Sequence, residues 1–418
     1  MRKFFMYCGL MLMVIQLPAQ TAPGLTLEQC YDLARKNYPL IRQKELLVRS
    51  MEYTIANANT AYLPQVSIYG QATYQSDVTR IPGPSPFEPL SKDQYKVYAE
   101  LTQTIYDGGT TKGQTSVQQA NTLVEQQKTE VELYKVKDRI NQLFFGILLT
   151  EAQLNQIALL HDDLTNSLMK MESAIKNGTA FRTNADILQA EIFKADQRTI
   201  EMKAARKGYL EMLSQFINMP LAEDTKLERP VLLSAETNEV KRPELQLFKF
   251  QQELLQTQYQ ANQTRNMPRL GFFVQGGYGR PGLNVLKNQF DTYYLGGLRL
   301  SWALSGFYNS RRDRELLDVN HQLVGTQTDL FLFNTNLALR QQNQEVTKLR
   351  DLIVVDSKII DLRARIKTTA KAQHENGVIS TNDLLREINA EDTARQNLLL
   401  HEIQLMLAQF NYQSTTGN

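Results

Sequence analysis

The fold is decided by the sequence YLPQVSIYGQ at residues 62–71, which recurs in altered form as NMPRLGFFVQ at residues 266–275. After the proline of each copy, apolar and polar residues alternate, as in a β-strand with one apolar face. Two further pairs of segments recur in the same order: QTIYDGG at 103–109 with WALSG at 302–306, and Asn177-Gly178 with Asn376-Gly377. All three pairs are separated by roughly 200 residues, so the sequence predicts two copies of one structural unit.

A long heptad pattern follows the strands of the first copy. Apolar and small residues alternate there at spacings of four and three: Val136, Ile140, Leu143, Ile147, Thr150, Leu154, Ile157, His161, Leu164, Leu168, Met171 and Ile175. Such a seam predicts a helix that packs lengthwise on a partner helix. Taken from about Thr110 to Lys176, this helix would be roughly 100 Å long. No compact globule accommodates a rod of that length.

The second copy repeats this design. A helix of nearly equal length is predicted from about Ser310 to Glu375, with a shorter seam at Leu352, Val355, Ile359, Leu362 and Ile366. Helices about half as long are predicted near residues 27–61, 183–217, 242–265 and 381–414, the first with a break before Pro39, because a proline disfavours helical geometry in the preceding residue. Two short helices placed end to end could then line one long helix.

Four strands are predicted near residues 65–78, 94–106, 269–280 and 292–304. Each is long enough to cross a bilayer when tilted, and no apolar helix of spanning length is expected. Aromatic residues crowd these segments, as in an interfacial girdle: Tyr69, Tyr74, Tyr95, Tyr98, Phe272, Phe273, Tyr278, Tyr293, Tyr294 and Trp302. A half-buried sheet of a soluble protein would give the same alternation. If the strands are membrane strands, four cannot close a barrel, so the chain must oligomerise.

The N-terminus has the pattern of a secretory signal peptide. Arg2 and Lys3 precede an apolar run that ends near Ala19, so residues 1–20 are predicted to be removed. The domain organisation is then a first repeat at 21–230 and a second at 231–418. The chain has 46 basic and 44 acidic residues. Removal of Arg2 and Lys3 would leave equal numbers of the two. This balance leaves no basic surface for nucleic acid, and Cys30 would be the only thiol.

No arrangement of residues indicates catalysis. The sequence GYGRPG at 277–282 satisfies the glycine pattern of dinucleotide-binding loops, but Pro281 and a loop follow it where a helix would have to begin. His374-Glu375 lacks the second histidine of a zinc protease. The sequence therefore predicts no enzyme, no cofactor and no metal site.

At this point the sequence resembles the TolC-like outer-membrane efflux protein family. The resemblance rests on LTLEQC at 25–30, YLP at 62–64, YDGG at 106–109 and NGVISTNDLL at 376–385. It implies an α+β membrane protein of the outer membrane of a Gram-negative bacterium, whose long coiled-coil helices form a periplasmic tunnel. Each protomer would contribute four strands to a trimeric, twelve-stranded β-barrel in outer-membrane lipid. The implied partners are a periplasmic adaptor protein and an inner-membrane transporter.

The resemblance also implies site residues at the far ends of the helices. Asp383 matches a position that narrows the pore, while Arg386 departs from an acidic pattern seen in some members. Three Asp383 carboxylates around one axis would repel one another, which favours a wider ring or raised pKa values. Adaptor contacts are expected at Gly178, Thr179, Gly377, Val378 and Ser380, where both glycines also suit helix C-caps.

The predicted function is the outer-membrane channel component of a tripartite efflux or type I secretion system, a passive conduit from the periplasm to the exterior. The alternative is a secreted coiled-coil adaptor or structural protein without a pore. The heptads agree equally well with both. The duplicated strands favour the channel.

Overall fold

The computed structural model describes residues 24–79, 83, 89–231 and 239–417, so the predicted signal peptide lies outside the described residues. The described chain forms seven α-helices and four β-strands: α1 Leu27–Asn37, α2 Leu40–Asn59, β1 Gln65–Tyr74, β2 Asp93–Tyr106, α3 Thr110–Lys176, α4 Arg182–Ile217, α5 Pro243–Gln263, β3 Arg269–Arg280, β4 Asp291–Ser301, α6 Ser310–Glu375 and α7 Thr381–Thr416. In both halves, helix is followed by two strands and two helices. The predicted helix break separates α1 from α2 at Tyr38 and Pro39.

The helix α3 has the predicted bounds and is 67 residues long, about 100 Å at 1.5 Å per residue. It packs against α4 toward its C-terminal end and against α2 and α5 nearer the sheet. The heptad seam forms the core of this assembly, because Ile140, Ile147 and Leu164 are all fully buried. The prediction that this seam packs lengthwise on partner helices is therefore confirmed.

The second seam behaves differently. The buried apolar residues of α6 are Leu339, Val346, Leu349 and Ala370, and the most extensive partner of α6 is α7. The predicted seam residues Val355, Ile359, Leu362 and Ile366 are instead 40–52% exposed. Periodicity marked an apolar face of α6 correctly, but this face has no partner within the described chain.

The expectation that no helix is apolar enough to span a membrane was wrong. By length and composition, α3 contains such a stretch, and 56% of that stretch is buried inside the protein. The side chains responsible include Phe144, Phe145 and Leu148, which pack against α1, α4 and α7. The apolarity of α3 is explained by this packing.

The four strands form one antiparallel sheet in the order β1-β2-β3-β4. Two predicted bounds were too long. The strand β1 ends at Tyr74 because its register with β2 runs out where Tyr74 faces Asp93, and β4 ends at Ser301 because a 3₁₀ turn forms at Leu304–Tyr308. The outer strands β1 and β4 each have one edge without a partner strand in the described chain.

The two faces of this sheet differ in character. One face, called here the apolar face, carries Val66, Ile68, Ala72, Tyr74, Tyr95, Val97, Leu101, Leu270, Phe272, Val274, Tyr278, Tyr294, Leu298 and Leu300. The other, called the polar face, carries Gln65, Ser67, Tyr69, Gln71, Lys96, Tyr98, Glu100, Thr102, Phe273, Gln275, Tyr293, Leu295 and Arg299. These assignments follow from the register, since successive side chains of a strand point to opposite faces.

The prediction of one aromatic girdle was therefore wrong in part. Tyr69, Tyr98, Phe273 and Tyr293 lie on the polar face. An interfacial girdle belongs to the lipid-facing side of a barrel. Only the aromatic residues of the apolar face can serve that purpose.

Candidate functional site: the strand-to-helix junction and the helical tips

The junction between β2 and α3 is held by one carboxylate. Asp107 accepts hydrogen bonds from the backbone N–H of Gly109 at 2.8 Å, from the backbone N–H of Thr111 at 2.6 Å, and from the hydroxyl of Tyr62 at 2.8 Å. Burial alone would raise the pKa of Asp107, but these hydrogen bonds outweigh it and lower that pKa to about 2. The carboxylate thus ties the segment before β1 to the first turn of α3, where free N–H groups favour negative charge.

The far ends of the two helical hairpins, called here the tips, lie at residues 177–181 and 376–380. Gly178 and Gly377 have φ angles of 75° and 72°, a left-handed conformation that glycine adopts at low cost. At the first tip the N–H groups of Gly178 and Thr179 donate to the carbonyls of Ile175 and Ala174. The equivalent bonds form at the second tip, so each long helix ends in a Schellman motif. The C-cap prediction for both glycines is confirmed.

Each tip exposes one large apolar side chain. Val378 is 68% exposed and Phe181 is 81% exposed. Phe181 was missed in the sequence, although it occupies the N-cap position of α4, where a short polar residue would be the favoured choice. That mismatch between residue type and position was the available signal. The tips therefore combine fixed backbone turns with exposed apolar groups, a combination suited to contact with another protein.

Asp383 lies in the first turn of α7 and is engaged in capping that helix. The Ser380 hydroxyl donates to Oδ2 of Asp383 at 2.7 Å, and the Asp383 N–H donates to the Ser380 hydroxyl oxygen at 3.2 Å. Nη1 of Arg386 lies 3.5 Å from Oδ1 of Asp383. The hydrogen bonds from Ser380, and then the charge of Arg386, hold the pKa of Asp383 below its usual value. Within one chain the site thus favours the ionised carboxylate, and the ring of three carboxylates stays a prediction.

The two hairpins are joined near the tips by charged side chains. Nζ of Lys367 lies 3.0 Å from Oδ2 of Asp163 on α3 and 3.0 Å from Oε2 of Glu391 on α7, and Lys371 also reaches Asp163 at 3.0 Å. Burial alone would lower the pKa of Lys367, but its hydrogen bonds to Glu391 and Asp163 outweigh that effect and raise it. Burial alone would raise the pKa of Asp163, but the hydrogen bonds that it accepts from Lys371 and Lys367 outweigh that effect and lower the pKa.

Beneath these ion pairs, apolar residues from both hairpins form a small core: Leu160, Leu164, Met171, Leu188, Ile192, Ala370, Leu384, Leu385 and Ile388. The structure therefore places all the predicted site residues at one end of the helices and fixes the tips of the two copies together. Among the described residues, no group of three or more histidine, cysteine, aspartate or glutamate side chains is arranged to hold a metal ion.

Comparison with known proteins agrees with this architecture. The sequence profile of the family described as "Outer membrane efflux protein" matches residues 30–218. In fold, the chain is similar to the outer membrane protein VceC of Vibrio cholerae, with a TM-score of 0.65 and 11% identity over 93% of this chain and 96% of that one. It is also similar to the CmeC outer membrane channel of Campylobacter jejuni, with a TM-score of 0.64 and 14% identity over 94% and 85%.

A third similar structure is the open state of the MtrE outer membrane channel of Neisseria gonorrhoeae, with a TM-score of 0.64 and 12% identity over 94% of this chain and 89% of that one. No curated protein sequence matches the chain. At such low identities, the structural comparisons establish the fold alone.

Residues 30–218 thus match the outer-membrane efflux family in sequence, and the chain as a whole has the helix-rich fold, with four strands, of outer-membrane channel proteins. The resemblance to the TolC-like outer-membrane efflux proteins is confirmed, by sequence over residues 30–218. The predicted localisation in the outer membrane agrees with the same match.

Proposed function

We propose that this protein is the outer-membrane component of a tripartite efflux or type I secretion system, and that it acts as a passive conduit without catalytic activity. The observation that carries the proposal is the sheet. Its apolar face is exposed, with Ile68 at 78% and Leu298 at 67%, and within the described residues its two outer strands each lack a neighbour on one side. In lipid, every unpaired backbone group costs several kcal/mol, so copies of the chain must supply the missing neighbours.

Closure by three copies supports a water-filled channel. When all copies have the same orientation in the membrane, β1 of one copy pairs with β4 of the next, a head-to-tail contact that can close as a ring. Two copies give the eight strands of a barrel that side chains can fill, whereas three give twelve and a wider lumen. The apolar face would then meet lipid and the polar face would line the lumen, in agreement with the separation of side chains seen in the sheet.

The exposed seam of α6 supports the same assembly below the membrane. Val355, Ile359, Leu362 and Ile366 form an apolar stripe without a partner in the described chain. A heptad stripe of this kind is completed by another helix. Three copies side by side would cover the stripes and produce a closed helical wall that continues the barrel into the periplasm.

At the tips, we propose contact with a periplasmic adaptor protein, which in turn engages an inner-membrane transporter. The contacting residues would be Gly178, Thr179, Gly377, Val378 and Ser380, together with Phe181. A further proposal is that Asp383 narrows the pore and that Arg386 reduces the negative charge there.

Two variants separate the pore role of Asp383 from its capping role. Asp383→Asn removes the charge but keeps an oxygen that can accept the capping hydrogen bond, whereas Ser380→Ala removes the cap partner and keeps the charge. We expect Asp383→Asn to lower the cation selectivity of single channels and Ser380→Ala to leave it largely unchanged. Unaltered conductance and selectivity in Asp383→Asn would show that this residue does not line the constriction.

The channel itself is tested by purification and reconstitution. We expect a detergent-dependent trimer by native mass spectrometry and discrete conductance steps in planar lipid bilayers. The alternative function, a secreted coiled-coil adaptor or structural protein, predicts a species that is soluble without detergent and does not conduct. A water-soluble monomer without conductance would therefore refute the proposal.

A further inference from the structure

One row of opposed residues on the polar face consists almost entirely of tyrosine. Tyr69 faces Tyr98, Tyr98 faces Gly277, and Gly277 faces Tyr293, so the row crosses all four strands without a register shift. The residues that surround the row on this face are mostly polar, such as Ser67 and Gln71. The row lies near the middle of the strands. It is called here the tyrosine row.

Two rings of the tyrosine row, those of Tyr69 and Tyr98, lie against one another. The ring centroids of Tyr69 and Tyr98 are 5.1 Å apart, with 29° between the planes. A Cβ atom added at Gly277 would lie 2.6 Å from Cβ of Tyr98 and 2.9 Å from Cζ of Tyr293. The Tyr293 ring therefore lies over Gly277, in space that any other residue would fill. Glycine at this position leaves room for the Tyr293 ring next to Tyr98.

Charges on both sides of the tyrosine row come in opposite pairs. On the side nearer the helices, Glu100 accepts a hydrogen bond from Gln275 at 2.8 Å and lies 3.4 Å from Nη1 of Arg299. On the other side, the next row of this face holds Lys96 and Asp291, both opposite Gly279. The row is thus a neutral aromatic surface, and its selectivity would depend on ring stacking instead of charge.

We propose that the tyrosine row is a binding platform for planar aromatic solutes that pass through the lumen. The inference rests on the proposed channel function, since it requires the polar face to line a water-filled barrel. Tyr69 is 46% exposed, so it keeps a ring surface free for a solute. Because barrel strands are tilted by 35–45°, the row climbs the wall as an inclined stripe, repeated three times in a trimer.

The purely structural explanation makes a different prediction. Cross-strand aromatic pairs stabilise a sheet whether or not a solute binds, and a ring over a glycine fills an otherwise bare position. In that case, replacing a tyrosine would lower the stability of the barrel but would not change how aromatic solutes interact with the open channel. Solute-dependent measurements therefore distinguish binding from packing.

The test uses single-channel recordings of the purified protein with three probes added at the extracellular side: ethidium, 1-naphthalenesulfonate and tetrapropylammonium. The first two are planar aromatic ions of opposite charge, and the third is a non-aromatic cation. We expect both aromatic ions to block the current for longer than tetrapropylammonium. Tyr69→Leu and Tyr98→Leu should each shorten these blockades about fivefold, as expected for one lost stacking contact.

Tyr69→Phe keeps the ring and should retain the wild-type blockade times. Tyr74→Leu is the matched control, because Tyr74 lies on the apolar face of the same strand and should not affect blockade. Where a variant yields too few channels, the anisotropy of ethidium bound to detergent-solubilised protein gives the same comparison.

Equal blockade by tetrapropylammonium, or unchanged aromatic blockade in Tyr69→Leu, would overturn the platform while leaving the channel intact. A wild-type protein that forms no conducting pore would refute the channel function, and the platform with it.

Discussion

Substitution of Ile68 by arginine tests which face of the sheet meets lipid. Ile68 is 78% exposed on the apolar face, and the adjacent Ser67 lies on the polar face opposite Glu100. Arginine on the lipid face of a barrel costs about 2–4 kcal/mol at the bilayer midplane and about 0–1 kcal/mol near the interface. Because Ile68 lies about a third of the way along β1, we expect a loss of about 2 kcal/mol per chain, or about 6 kcal/mol per trimer.

The assay is urea unfolding of protein refolded into lipid vesicles, with trimer levels in outer-membrane fractions as a second measurement. We expect Ile68→Arg to lower the unfolding midpoint and the trimer level. Ser67→Arg is the matched control, since the new guanidinium would face water and Glu100, and its effect should stay within about 0.5 kcal/mol. Equal losses in the two variants, or a larger loss for Ser67→Arg, would refute the assignment of the two faces.

Three further predictions concern the junction and the tips. Asp107→Asn should destabilise the protein by about 1–3 kcal/mol. The pKa of Asp107 in the folded protein is lowered to about 2. The wild-type carboxylate should therefore stabilise the folded state fully at pH values above its ordinary pKa, and this stabilisation should be lost as the pH falls toward 2. Urea titrations of the wild-type protein and Asp107→Asn at pH 7 and pH 3 measure this loss. Lys367→Met leaves the buried Glu391 with one cation fewer and should cost about 3 kcal/mol, measured as faster hydrogen exchange in α7. Gly377→Val forces a branched residue into a φ of 72°, at about 1–2 kcal/mol. It should impair export while trimer yield stays normal, with Gly325→Ala in α6 as the control.

Much of the fold could be predicted because its signals are local. The bounds of α3 and α6 agree with the prediction, since a heptad pattern and the flanking glycines specify where a long helix runs and ends. The strands were found by their period of two. The predicted ends of the strands were less accurate. The strand β1 stops where its pairing with β2 ends. That pairing joins residues about twenty positions apart, so no local sequence pattern reveals where it stops.

The candidate site was predicted less completely. Gly178 and Gly377 were recognisable because a left-handed C-cap strongly favours glycine. The capping role of Asp383 was missed, although its position three residues after Ser380 is the spacing of a capping box. Of the three hydrogen bonds to Asp107, in contrast, the one from Tyr62 joins residues 45 positions apart in the chain. The ion pair of Lys367 with Asp163 likewise joins residues 204 positions apart.

By itself, the sequence determined that the chain is a duplicated unit with two very long helices and four strands, because periodicity and turn residues act through neighbours along the chain. The tertiary structure decided which faces are used. Only the register of the sheet brought Tyr69, Tyr98 and Tyr293 into one row. Heptads marked an apolar stripe on α6, yet no part of the described chain covers that stripe. Sequence periodicity specifies which side of a helix or strand is apolar. Contacts between segments that are distant in sequence decide what that side packs against.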